Sequence, residues 1–217
     1  MRVVIAGGHG KIALRLERRL ADRGDQAVGL VRNPDHRADV EAAGGQAVVC
    51  DLESAGVDEV VKVLEGADAV VFAAGAGPGS GAARKDTVDR AASALMAEAA
   101  ERAGVRGFVQ ISSMGAGAPP GEDADEVWAA YIAAKTAAEV DLRGRDLDWT
   151  ILRPGGLTDE PGTGRVLLGP PPLPRGSVSR DDVAAVVVAL LDEPRTAGRT
   201  LELVRGDVPI DTAVRAL

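Results

Sequence analysis

The chain has 217 residues, 46% of them hydrophobic and 27% charged, which fits one substantial domain with its own core and excludes a second large one. Twenty-five basic side chains against thirty-three acidic give a net charge of -8, a balance that repels polyanions and argues against nucleic acid as a partner. The longest apolar runs, such as 183–191, fall well short of the ~18 residues of a membrane span, and the N-terminus enters Arg2-Val3-Val4-Ile5 without a signal-peptide layout. A cytoplasmic protein with no membrane partner is therefore expected.

One cysteine, Cys50, excludes an intrachain disulfide, and two histidines, His9 and His36, are too few for a common zinc site, so no metal is expected. Five aromatic residues leave the core to Val, Leu, Ile and Ala, as in the buried strands of parallel sheets.

Valine-rich runs alternate along the chain with longer segments of helical period. Strands are expected at Arg2 to Ala6, Ala27 to Val31, Ala47 to Cys50, Ala69 to Ala73, Phe108 to Ser112, Trp149 to Leu152 and Thr200 to Val204. Between them, Lys11 to Arg23 places Ile12, Leu16 and Leu20 on one helical face, with Gly24 as its C-terminal stop. Further helices are expected at Asp86 to Ala103, stopped by Gly104, at Glu122 to Leu142, and from Ser179 to before Pro194. At the last of these the Ser179 hydroxyl can cap the amide of Asp182. The alternation predicts α/β architecture: a Rossmann-like doubly wound parallel sheet in a single domain spanning residues 1–217. Residues from about 155 onward are expected to form a small substrate-side portion. Within it, Asp159 to Gly176 is rich in proline and glycine and reads as an irregular connection, either a plain surface loop or one over the substrate.

The first strand runs into Gly7-Gly8-His9-Gly10-Lys11-Ile12-Ala13 and then a helix, the context of a dinucleotide-binding loop. Gly7 can make the sharp turn, Gly10 lets the backbone approach a pyrophosphate, and small Ala13 lets helix and strand pack. His9 and Lys11 sit where a cation can touch phosphate oxygens, and Ile12 lines the same loop. The second strand ends Leu30-Val31-Arg32-Asn33-Pro34, with Arg32 where an NAD site carries a carboxylate and with Arg37 close by. A guanidinium there suits a 2'-phosphate, so NADP(H) is expected over NAD(H); a merely solvated strand-end charge is the plain alternative. Asp51 and Leu52 after the third strand, and Ala73, Ala74 and Gly75 after the fourth, follow carboxyl ends of strands and are expected beside the cofactor.

Ser112-Ser113-Met114-Gly115 follows the fifth strand, and Tyr131-Ile132-Ala133-Ala134-Lys135 comes eighteen residues beyond Ser113. Tyr and Lys at i and i+4 share a helical face. A phenol near pKa 10 is a poor base at neutral pH, but a nearby ammonium favours its phenolate. Trp128 lies close enough on that helix to wall a substrate, whereas Phe72, Phe108 and Trp149 fall on strands and read as core.

Taken together, GGHGKIA, VRNP, TVDRAASALMAEAAERAGV, FVQISSMGA, YIAAK, WTILRPGGLTDEPGTGRV and SRDDVAAVVVALLDEP resemble the short-chain dehydrogenase/reductase superfamily, in its atypical branch of small NAD(P)H-binding, epimerase/dehydratase-like proteins. The resemblance covers nearly the whole chain. It implies Tyr131 as acid/base, Lys135 as the residue that binds nicotinamide ribose and eases ionisation of the tyrosine, Ser113 as the substrate-orienting hydroxyl and Pro154 as a nicotinamide contact. Better-studied relatives carry an Asn in the helix before the Ser-ended strand. Asp89 stands there in this chain, which lacks the amide donor, and Ser93 is the other polar candidate. About sixty residues follow Pro154, too few for a bulky nucleotide-sugar substrate domain.

Three functions fit these residues. The first is an NADP(H)-dependent oxidoreductase acting on a small carbonyl, quinone or flavin-like substrate. The second is a non-catalytic NADP(H) sensor, and the third a small epimerase/dehydratase-like enzyme. The intact Ser113, Tyr131 and Lys135 set favours the first, with a small-molecule substrate as partner and a monomer or homodimer as the working state.

Overall fold

The computed structural model describes residues 1–77, 80–81, 84–119 and 125–217. Its centre is a nine-stranded sheet whose first strand, β1 (Arg2–Ala6), is flanked by β2 (Gln26–Val31) and β4 (Ala69–Phe72), both parallel to it. β3 (Gln46–Val49) pairs with the outer side of β2, while β5 (Gly107–Ile111), β6 (Asp148–Pro154) and β10 (Arg199–Arg205) continue in parallel beyond β4. The chain thus leaves β3 at one edge and re-enters as β4 on the other side of β1. That reversal of strand order opens a crevice above the carboxyl ends of β1 and β4, where ligands bind in open α/β sheets.

Strands buried on both faces send alternate side chains into two cores. Val3 and Ile5 of β1, Val71 of β4, Val109 and Ile111 of β5 and Leu152 of β6 join one. Val4, Ala6, Val70, Phe72, Phe108 and Ile151 join the other. The first core is covered by α1 (Lys11–Asp22), which buries Ala13, Leu16 and Leu20. The second is covered by α3 (Val57–Leu64) and by a helix that begins as a π-helical stretch, Lys85–Ala91, and continues as α4 (Ala92–Ala103). α5 (Glu126–Arg143) follows β5, and α6 (Arg180–Leu191) packs beside α1 on the first core.

The expected helix boundaries hold where a cap dictates them. Gly24 and Gly104 adopt the left-handed conformation at the ends of α1 and α4, with φ of +83° and +71°. The Ser179 hydroxyl accepts from the amide of Asp182 at 3.0 Å. Asp125 caps α5 through the amide of Trp128, so that helix starts at Glu126; the rest of the expected start, Glu122 to Ala124, lies outside the described residues.

The segment Asp159 to Gly176 is not irregular throughout. It contains β8 (Arg165–Gly169), antiparallel to β10 and paired on its other side with β11 (Val208–Pro209). Only five residues separate Gly164 from Pro170, too few to show a period among so many turn formers. Two short strands, β7 (Gly156–Thr158) and β9 (Ser177–Ser179), pair in parallel at the two ends of this region. They too lack a signal in the sequence, as do α2 (Arg37–Ala42), α3 and α7 (Ile210–Arg215). α2 buries only Val40, and α3 only Val60 and Leu64, which leaves little periodic pattern.

Candidate active site

The crevice begins at the loop after β1. Gly7 has φ +78°, and a Cβ placed there would lie 2.7 Å from the Cα of Ala74 in the segment after β4. Gly8, given no role from the sequence, is equally constrained, because its Cβ would meet the Cα of Gly29 on β2 at 2.6 Å. The loop is closed by backbone: the Gly8 amide donates to Leu30 O at 2.9 Å and the Gly10 amide to Gly7 O at 2.8 Å. Gly10 is the N-cap of α1, and among the described residues no side chain caps that end and no acidic residue lies in its first turn. Amides at the start of a helix left in this way form an anion site.

Around the loop, Lys11 Nζ lies 2.6 Å from Asp159 Oδ2. The hydrogen bond from Lys11, reinforced by the charge of Arg180, holds that carboxyl below the ordinary range. Asp159 thereby ties the start of α1 to the start of α6, since Arg180 Nη1 donates to its other oxygen at 2.9 Å. The His9 ring is 2.7 Å from Asp39 through Nε2 and stacks on His36 at 3.6 Å, bringing the chain's two histidines together. Ile12 packs partly buried against the first core.

At the end of β2, Arg32 Nη1 donates to Glu53 Oε2 at 2.8 Å, and Arg84 Nη2 donates to the same oxygen at 2.8 Å. Thr87 donates to Oε1 at 2.7 Å, and this hydroxyl, followed by the guanidiniums, holds the Glu53 carboxyl below its usual range. Asp51 Oδ1 accepts from the Glu53 amide, Leu52 lies half-buried between them, and Arg37 is exposed at the start of α2. Cys50 is buried, and burial, with the charges of Glu59 and Asp51, pushes its thiol up to about 11.

The two serines after β5 divide. Ser112 is buried and donates to Glu139 Oε1 at 2.6 Å. Glu139, fully buried, also accepts from Arg153 at 2.9 and 2.5 Å and from Arg143 at 2.8 Å. Burial alone would raise the Glu139 carboxyl, but these hydrogen bonds outweigh it and hold it low. Ser112 is thus part of an interior network, whereas Ser113 is half-buried with Oγ on the carbonyl of Met114 at 3.2 Å. The Met114 amide donates to Pro154 O at 3.0 Å, which joins the Ser113 turn to the end of β6.

Tyr131 is half-buried on α5, with the 45% exposed Trp128 ring 5.4 Å away. Lys135 is buried, its Nζ 5.8 Å from the Tyr131 ring centre, 3.3 Å from Ile111 O and 3.1 Å from Asp89 Oδ1. Asp89, fully buried, accepts through Oδ2 from the Ala76 amide at 3.1 Å. Its Oδ1 makes an ion pair with Lys135 outside hydrogen-bonding geometry. Ser93, the other candidate, faces the interior and donates to Gln110 at 3.1 Å. A Cβ on Gly75 would lie 3.2 Å from Asp89 Oδ1. The segment Ala73-Ala74-Gly75 therefore touches the glycine loop through Ala74 and the Asp89–Lys135 pair through Gly75. Sequence reasoning passes over Glu53, Arg84 and Lys85, single charged residues in no motif. Lys85 is buried with Nζ 5.2 Å from the Tyr131 ring centre.

A family model described as NAD(P)H-binding matches residues 7–194. The uncharacterized sugar epimerase YhfK of Bacillus subtilis is 38% identical over 218 residues, covering 100% of both chains. The UPF0659 protein YMR090W of Saccharomyces cerevisiae is 34% identical over 235 residues, covering 100% of this chain and 99% of its own. Among solved structures, a candidate NAD-dependent epimerase/dehydratase from Bacillus halodurans superposes with a TM-score of 0.92 at 35% identity, with 100% of both chains covered. The oxidoreductase ylbE from Lactococcus lactis superposes at 0.87 with 26% identity, covering 100% of this chain and 96% of its own.

Proposed function

We propose that this chain, which belongs to the NAD(P)H-binding family, is an NADP(H)-dependent oxidoreductase acting on a small carbonyl, quinone or flavin-like substrate. The observation that carries this reading is the continuity of Ala73-Ala74-Gly75, which places the glycine loop on one side of the crevice and Asp89, Lys135 and Tyr131 on the other.

The crevice fits a dinucleotide. Gly7 and Gly8 stand where any Cβ would strike backbone, and the uncapped start of α1 offers amides to a pyrophosphate. Gly7, His9, Gly10, Lys11 and Ile12 would hold the pyrophosphate; Asp51, Leu52, Ala73, Ala74 and Gly75 would line the adenosine and ribose; Lys135 and Pro154 would lie toward the nicotinamide. Arg32, with Arg37 nearby, would meet a 2'-phosphate, and the second guanidinium that Arg84 brings to Glu53 strengthens the case for NADP(H). When bound, the dinucleotide supplies or accepts a hydride.

Tyr131 gives a proton to the substrate oxygen in reduction and takes it back in oxidation, and Ser113 orients that oxygen. Trp128 walls the entrance, and residues from about 155 onward bound the substrate on the remaining side. Among the described residues no helix is long and apolar enough to cross a membrane.

The test is NADPH oxidation against a panel of quinones, flavins and aldehydes, with wild type compared to Tyr131→Phe. The expected loss in kcat is about 10²- to 10⁴-fold, the scale of general acid catalysis. Unchanged turnover in the variant removes Tyr131 from the chemistry. NADPH binding without turnover on any acceptor favours the sensor. The relatives named as epimerases support one further reading, in which hydride is returned to the same substrate; substrate conversion without net NADPH consumption would identify it.

A further inference from the structure

Tyr131 is flanked by two ammonium groups, and only one of them belongs to the Tyr-x-x-x-Lys pattern. We infer that Lys85 is a positioning residue for proton transfer at Tyr131, supplying a positive charge, with no carboxylate in ion-pair contact among the described residues, that favours its phenolate. This rests on the reading of Tyr131 as the proton-transfer group.

Lys135 Nζ and Lys85 Nζ stand at similar distances from the ring centre, 5.8 and 5.2 Å. Their surroundings differ. Lys135 has the fully buried carboxylate of Asp89 at 3.1 Å, so the pair presents a dipole with no net charge. Lys85 is held by a neutral group, donating to the carbonyl of Gly77 at 2.9 Å, and among the described residues no carboxylate lies within ion-pair distance of it. It is nevertheless only 7% exposed, and the contacts that offset its burial among the described residues are the Gly77 carbonyl and the face of the Tyr131 ring.

The local backbone explains how both groups arrive. Lys85 and Asp89 lie four residues apart in the π-helical stretch Lys85–Ala91, and the wider turn of a π-helix puts them on one side, facing α5. Among the described residues the charged groups about Tyr131 are then Lys85 from the π-helical stretch, Lys135 from its own helix and Asp89 behind Lys135; Trp128 is the neutral neighbour.

During reduction the phenol O–H bond breaks as the substrate oxygen takes the proton, and the electron pair remains on the Tyr131 oxygen, with Lys85 Nζ 5.2 Å from the ring centre. On the return step the proton comes back to the same oxygen. Asp89, standing where better-studied relatives have Asn, removes the charge contribution of Lys135, and Lys85 restores it.

Tyr131 is the chain's only tyrosine, so the tyrosinate absorbance band of the ligand-free protein reports on this group alone. Lys85→Gln keeps a donor for Gly77 and removes the charge. The band is expected to appear at higher pH than in wild type, because the neighbouring positive charge is gone. Lys85→Arg is expected to stay near wild type. Asp89→Asn, which leaves Lys135 uncompensated, is expected to move the band to lower pH. An unmoved band in a folded Lys85→Gln, or a Lys85→Arg variant that behaves like Lys85→Gln, overturns the inference. Should Lys85→Gln fail to fold, Lys85→Met, which also removes the charge, takes its place, and an unmoved band there overturns the inference. The titration needs neither dinucleotide nor substrate, so it stands or fails separately from the turnover comparison of wild type and Tyr131→Phe.

Discussion

Asp89 and Lys135 meet as a buried ion pair, Nζ 3.1 Å from Oδ1, with the carboxylate fully buried and the lysine 4% exposed. The two come from different helices, and they meet beside Gly75, in the segment whose Ala74 abuts the glycine loop. An interior pair of this kind contributes little net stability against an apolar replacement, but removing one partner strands the other charge. Asp89→Leu is expected to lower unfolding stability by about 3–5 kcal/mol. The double variant Asp89→Leu/Lys135→Met should recover most of that loss. Urea unfolding of the three proteins is the measurement, and a double variant no more stable than Asp89→Leu would contradict the pairing.

Arg32 shares the Glu53 carboxylate with Arg84 at the end of β2. Hydrogen bonds to charged groups are worth about 1.5–3 kcal/mol, so Arg32→Ala should weaken NADPH binding roughly 10- to 100-fold. NADH, which lacks the 2'-phosphate, should change far less. Calorimetric titration with both nucleotides decides the point, and equal losses would show that Arg32 does not discriminate between them.

Gly8 tolerates no side chain because its neighbour is the backbone of Gly29 rather than a flexible group. Gly8→Ala forces β1 and β2 apart at the loop. An overpacking cost of about 1–3 kcal/mol is expected in thermal or denaturant unfolding. A larger proportional loss should appear in dinucleotide affinity, because the amides of the loop move with the strand.

Glu17 sits fully buried on α1 against Gly29 and Gly45, and neither carboxyl oxygen has a hydrogen-bond partner among the described residues. Burial pushes it up from 4.5 to about 8. The folded chain therefore keeps this proton up to about pH 8, whereas the unfolded chain releases it near pH 4.5. Between those values folding takes up a proton, so the contribution of Glu17 to stability is present below pH 4.5 and is lost as pH rises toward 8. Glu17→Gln should flatten this dependence and be more stable than wild type above pH 8, by roughly 2–4 kcal/mol. Unfolding curves at pH values of about 5, 7 and 9 test it; parallel curves for the two proteins would place the proton elsewhere.

The parallel sheet is legible in the sequence because each central strand is a continuous apolar run and each following helix carries a stop or a start: Gly24, Gly104 or the Ser179 cap. The glycine loop is legible for a related reason, since the order strand, glycines, helix is a local pattern. β8 is not, because five residues between Gly164 and Pro170 carry no period of their own and become a strand only when β10 offers a ladder. The role of Gly8 is also hidden, as it depends on Gly29 in the neighbouring strand.

In the candidate site the division falls in the same place. Residues that act from one element announce themselves: Tyr131 and Lys135 by helical spacing, Arg32 by its position at a strand end. That Asp89 meets Lys135 while Ser93 turns to Gln110, the separation of Ser112 from Ser113, and the arrival of Arg84 and Lys85 are settled by packing. Local periodicity and caps are written within a few consecutive residues, so the sequence by itself determined the seven parallel strands, the helices bounded by Gly24, Gly104 and Ser179, and the loop that opens the crevice, but not β7, β8, β9, β11, α2, α3 or α7. Which charges are buried against one another depends on distances between segments far apart in the chain, and only the tertiary structure decided those, because burial and pairing exist only once the helices close over the sheet.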